Sequence, residues 1–138
     1  MKKLILLVSL SLIMLTSFSQ SEYSRVINYM KARGWTLSST DRYAYLKEDE
    51  STSNFYRTFY TGVDYAVVAF SNDDNVRDMD VEIETSYGTT IEEDNDYDPW
   101  GIVVFSVDYT RTLGIKMTNF LSNSPRTASY CRFLVFYR

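Results

Sequence analysis

The chain has 138 residues, with 14 Lys and Arg against 18 Asp and Glu, no histidine, one cysteine and a net charge of −4. An acidic chain without a basic cluster repels nucleic acid, because nothing neutralises the phosphates. Without histidine, Ser-His-Asp and Cys-His catalysis cannot be assembled, and the commonest transition-metal ligand is missing.

In chain order, residues 1–20, MKKLILLVSLSLIMLTSFSQ, have the layout of a secretory signal peptide: Lys2 and Lys3, an apolar core from Leu4 to Leu15, and a short polar end with small residues around Phe18. The core of 12 residues is too short to span a membrane, which takes about 20. Cleavage after Ser19 or Gln20 fits best, and no cysteine follows the core to carry a lipid anchor. The expectation is an exported protein, periplasmic or secreted, with a single domain over residues 21–138. Losing Lys2 and Lys3 leaves 12 basic against 18 acidic residues, a mature charge of −6.

Only "SEYSRVINYMKARGW" has helical period. Val26, Ile27 and Met30 share a face, Ser21 is the N-cap, Gly34 suits the left-handed position past the end, and Trp35 packs the end down. The helix is expected over a sheet edge or an open end of a sandwich. From there the chain alternates as strands. "DRYAYLKED" sets Tyr43 and Tyr45 against Ala44 and Leu46. "NFYRTFYTG" sets Phe55 and Phe59 against Tyr56 and Tyr60. "VDYAVVAFS" and "GIVVFSVDY" are continuous apolar runs, expected as central strands. "DMDVEIET" points Met79, Val81 and Ile83 inward and Asp78, Asp80, Glu82 and Glu84 outward. A turn at Gly88 and a brief strand at Ile91 follow. "RTLGIKMTNF" buries Leu113, Ile115 and Met117, and "SYCRFLVFYR" ends the chain with Cys131 as a small buried hydrophobe. The sum is a mainly β fold, a jelly-roll-like antiparallel sandwich of about eight strands with one short N-terminal helix.

The segment from Thr61 to Asn119 resembles the bacterial pre-peptidase C-terminal domains. Gly62 and Tyr65 match the Gly-x-x-Tyr turn before an apolar strand, Asp78 and Asp80 the Asp-x-Asp strand, and Gly88 the following turn. Glu93, Asp94, Asp96 and Asp98 match an acidic loop, and Arg111 to Met117 stands in the place of the last strand, without its usual aromatic residue. The resemblance implies a jelly-roll-like sandwich of the kind appended to secreted proteases and other exported enzymes. Some related collagen-binding members bind calcium.

Residues 76–100 hold nine of the 18 acidic residues. Asp94, Asp96 and Asp98 have the spacing that begins an EF-hand loop, but Pro99 takes the sixth position and Phe105 the twelfth, where Gly and Glu are required. A sandwich-type calcium site would draw on Asp78 or Asp80 with Glu93, Asp94 or Asp96. The reading preferred over it is a solvated acidic face, with no cofactor. For ligands, "DYDPW" presents Tyr97 and Trp100 on a loop fixed by Pro99. Tyr56, Tyr60, Tyr97 and Trp100 together are read first as core of a second buried face, and otherwise as a platform for a sugar or protein partner. The function expected is a non-catalytic binding or envelope-associated module recognising carbohydrate or protein. The alternatives are a hydrolase using carboxylates alone, and a structural subunit assembling through its sheet edges.

Overall fold

The structure, a computed structural model, describes residues 21–138, so the signal-peptide assignment lies outside the described residues. A helix α1 (Glu22–Lys31) precedes nine strands: β1 (Thr36–Leu46), β2 (Glu50–Ser51), β3 (Phe55–Phe59), β4 (Asp64–Ser71), β5 (Val76–Glu84), β6 (Thr90–Glu93), β7 (Gly101–Ser106), β8 (Arg111–Ser122) and β9 (Ser129–Tyr137). They form two antiparallel sheets, ordered β1-β9-β4-β7 and β2-β8-β5-β6, with β3 also paired to β8. Because β2 and β3 both pair with β8, they are one strand interrupted at residues 52–54. Counted that way the sandwich has eight strands, and successive strands change sheet except at the β5–β6 pair, as in a jelly roll.

The inner core lies between the sheets. Val67 and Ala69 of β4 and Cys131, Phe133 and Val135 of β9 face Met79, Val81 and Ile83 of β5 and Leu113, Ile115 and Met117 of β8. These are the alternating positions of each strand, since a period of two sends every second side chain to one face. Cys131 is fully buried here, and burial pushes its thiol up to about 12.

A second core explains why β4 is apolar on both faces. Ala66, Val68 and Phe70, with Leu134 and Phe136 of β9, pack beneath Val26, Met30 and Trp35. The helix therefore covers the outer face of the first sheet rather than an edge or an open end. Its start is capped by the Ser21 hydroxyl, which accepts from the Ser24 N–H, and Gly34 ends it at φ 83°.

β7 is an edge strand, not a central one. Its apolar run arises differently: Val103 and Phe105 enter the inner core, Ile102 touches the helix-side core, and Val104 stays 51% exposed. At its start Gly101 crosses β5 so closely that an added Cβ would lie 2.5 Å from the Met79 carbonyl oxygen.

Candidate functional site

The acidic stretch is less solvated than strand alternation implies. Asp78 is 4% and Glu84 7% exposed. Glu84 receives Lys116 Nζ at 2.6 Å and Asn54 Nδ2 at 2.8 Å, and these hydrogen bonds hold its carboxyl below the usual range. Lys116 also reaches Glu82 at 2.7 Å and is raised in turn by the two carboxylates. Asp78 accepts from the Asp98 N–H at 3.3 Å, yet burial and then the charges of Asp94 and Asp98 raise it. Asp80 is pushed up to about 6 by burial first, then by Asp78, Asp94, Glu82 and Glu93.

Of the carboxylates considered for calcium, Asp80, Glu93 and Asp94 come together with Glu82 around a crevice of about 60 Å³ closed by Thr118, while Asp78 and Asp96 do not line it. Asp94 is already engaged: Oδ1 accepts from the Asp96 N–H at 2.8 Å and Oδ2 from the Ile102 N–H. Its role there is to tie the β6–β7 loop to the first residues of β7. Among the described residues no group of three or more carboxylates is placed to hold a metal ion.

The "DYDPW" loop folds back onto the helix. Asp98 accepts from the Trp100 N–H at 3.1 Å, and the Met79 N–H donates to the Asp98 carbonyl at 3.0 Å. Trp100 is half-buried, its Nε1–H donating to Glu22 Oε2 at 2.9 Å, with Tyr29 edge-on at 5.6 Å and the Arg25 guanidinium over its ring at 5.7 Å. The indole is thus a clamp between loop and helix, while Tyr97 stands 66% exposed on its own. Between the helix and the loop runs an open groove of about 670 Å³ that Tyr97 does not line, and whose charged walls include Asp73, Asp74 and Arg77. Tyr56 and Tyr60 are exposed as well and form no second buried face, because the helix covers the other sheet.

Sequence reasoning passes over a more coherent aromatic surface. β1 and β9 pair so that Tyr45 faces Tyr130 and Tyr43 faces Arg132. Ala44 and Cys131 point into the core, so these side chains point out, on the face that the helix covers further along, and of them Arg132 meets the helix at Tyr23. Tyr43 stacks on Tyr130 at 5.2 Å with 24° between planes, and Tyr45 meets Tyr130 edge-on at 5.5 Å. Tyr43 and Tyr45 remain 65% and 66% exposed. At the end of this row Arg132 forms a two-pronged pair with Asp41, Nε to Oδ1 at 2.8 Å and Nη2 to Oδ2, and lies over the Tyr23 ring at 4.1 Å. The alternation in "DRYAYL" signals half of this surface, but only the β1–β9 register brings Tyr130 and Arg132 to it.

No family model matches the chain, and no curated protein matches it. Among solved structures it is similar to the solution NMR structure of a de novo designed double-stranded β-helix, at 14% identity and a TM-score of 0.37, over 72% of this chain and 100% of that one. Among the described residues no helix is long and apolar enough to cross a membrane.

Proposed function

We infer that the protein is an exported, non-catalytic binding module that recognises carbohydrate through the Tyr43–Tyr45–Tyr130 surface. The observation that carries this reading is three clustered tyrosine rings on a rigid sheet face, two of them about two-thirds exposed, beside a fixed Arg132–Asp41 pair. Leaving such rings in water forgoes burial worth about 1.5–3 kcal/mol for a large side chain. Clustered exposed apolar surface on a soluble domain marks an interaction site. Aromatic rings take the C–H face of a sugar, and a planar guanidinium and carboxylate at one end supply donors and acceptors for its hydroxyls.

Hydrolysis by carboxylates would need two of them free on facing walls of the groove beside the helix. Of the groove's carboxylates, Glu22 instead holds the Trp100 indole across from the helix, and Asp73 and Asp98 hold the Asn75 and Trp100 N–H groups of their own loops, which leaves only Asp74 without such a role. The resemblance to pre-peptidase C-terminal domains also favours an accessory binding role. The test is binding to a panel of soluble and insoluble polysaccharides by affinity electrophoresis and pull-down. Tyr130→Ala and Tyr43→Ala are expected to weaken retention at least tenfold, with Tyr97→Ala unchanged. Retention indifferent to Tyr43 and Tyr130, or absent from every glycan while a protein partner is retained, would remove the carbohydrate reading.

A further inference from the structure

On the side of the sandwich where β1 and β3 face each other, no strand pairing joins the two sheets. The interruption of residues 52–54 opens this side into a cleft of about 390 Å³, which reaches Leu46, Phe55, Met117 and Phe133. That volume falls within the roughly 300–1,000 Å³ of small-molecule sites. At the ~30 Å³ that a water molecule occupies in the liquid, it holds roughly a dozen non-hydrogen atoms. The lining joins these apolar side chains to the polar Ser51, Thr52, Ser53 and Asn54 of the interrupted strand, and Asn54 Oδ1 is buried without a hydrogen-bond partner.

Two arginines flank this opening. Arg42 lines the cleft with its guanidinium 4.0 Å over the Phe55 ring. Arg57 stands two residues further along β3 on the same inward face and bridges to β1, donating to Thr40 Oγ1 at 2.8 Å and Ser38 Oγ at 3.2 Å. The chain is acidic overall, yet neither arginine takes part in an ion pair among the described residues. Arg57 is partly buried against Phe59 and Tyr65, and burial pulls its guanidinium below the ordinary value against the opposing influence of Tyr65 and Tyr60. A desolvated cation without an anion is costly, because hydroxyls and ring faces replace only part of its hydration.

We propose that this slot binds an anionic amphiphile, a carboxylate or sulfate on an aliphatic or aromatic body, with the head between Arg42 and Arg57 and the body in the cleft above Met117. Charge complementarity selects the head, since Arg42 lines the cleft, Arg57 stands two residues beyond Phe55 on β3, neither is in an ion pair, and the cleft lining carries no carboxylate. The apolar side chains of the lining select the body. Tyr43 borders the cleft as well as the tyrosine surface, so the two sites adjoin across strand β1 while using different arginines.

The probes are octanoate, octylamine and inorganic sulfate, followed by the methyl resonances of ¹³C-methyl methionine in the mature chain. Octanoate is expected to move the Met117 methyl saturably while Met30, on the buried face of the helix across the far side of the first sheet, stays in place. Arg42→Gln, at an exposed position that leaves the fold intact, and Arg57→Gln should each weaken octanoate at least tenfold. Octylamine should leave Met117 unmoved. Octylamine binding as well as octanoate, octanoate binding indifferent to Arg42, sulfate binding as tightly as octanoate, or a Met117 methyl unmoved by octanoate would each overturn the proposal.

Discussion

Three glycines show how the same residue type carries different weight. Gly88 needs its left-handed φ of 79°, and nothing lies within 4 Å of an added Cβ there. At Gly114 an added Cβ would meet Asn54 Cβ and Cγ at 3.0 Å and the Tyr56 ring at 3.1 Å. The ring can turn away, and residue 54, outside the strand ladder, can shift by the few tenths of an ångström required. Tyr56 covers this glycine on the outer face of the second sheet, which accounts for one of the exposed aromatics. At Gly101 the obstacle is backbone, the Met79 carbonyl and the peptide that follows it. Gly101→Ala must therefore push β7 away from β5, and overpacking of this kind costs about 1–3 kcal/mol. Urea denaturation should show a clearly larger loss for Gly101→Ala than for Gly114→Ala. Equal or negligible losses would mean that β7 does not cross β5 as closely as the fold requires.

The strand β5 was the most readable element and its outer face the least. Met79, Val81 and Ile83 are fixed by alternation, and all three are buried. Alternation assigns the acidic residues to water, but it knows nothing of what a later segment lays across them. The β6–β7 loop returns over Asp78 and Asp80, and the Glu84–Lys116–Asn54 contacts bury Glu84. The tyrosine surface failed for a related reason: Tyr43 and Tyr130 are 87 residues apart and meet only through the β1–β9 register. For Asp80 the physics has a definite sign. It is faced by Asp78 and Glu82 on its own strand, by Glu93 on β6 and by Asp94 in the loop, with Thr118 opposite on β8. Its folded value of about 6 lies above that of an unfolded carboxyl, about 3.9. The folded state thus binds the proton more tightly, so the stability from this group is fully present below about pH 3.9 and is lost as pH rises from there through 6. Asp80→Asn should raise the melting temperature at pH 7 by a few degrees and flatten its pH dependence between 4 and 7. If calcium occupied the crevice instead, the wild type would gain several degrees in millimolar calcium over EDTA, unmatched by magnesium, and Asp80→Asn would abolish the gain.

At the scale of the molecule, the two cores meet only through the first sheet. Strands β4 and β9 contribute one set of side chains to each, so the sheet is a wall shared by a sandwich and a helix layer. The inner core includes Phe59, Phe133, four residues of β5 and three of β8, whereas the outer one depends on Val26, Met30 and Trp35 from a segment at the start of the described chain. An aspartate at position 26, fully buried in the native chain, would be an unpaired charge inside the outer core, at a cost of about 3–5 kcal/mol. The helix can escape that cost by undocking, because a ten-residue segment is held chiefly by the Val26–Met30 face and by half-exposed contacts to Trp100 and Arg132. The sandwich beneath keeps both of its sheets. Val26→Asp is therefore expected to expose Ala66, Val68, Phe70, Leu134 and Phe136, increasing the fluorescence of a hydrophobic dye and the tendency to aggregate. Cys131 reports on the other side of the same wall, since its thiol is fully buried in the inner core and strongly resists ionisation. In the undocked variant it should stay unreactive towards a thiol reagent until denaturant is added. Immediate labelling of Cys131 in Val26→Asp would show that helix and sandwich unfold as one unit, and that the two cores are not separable.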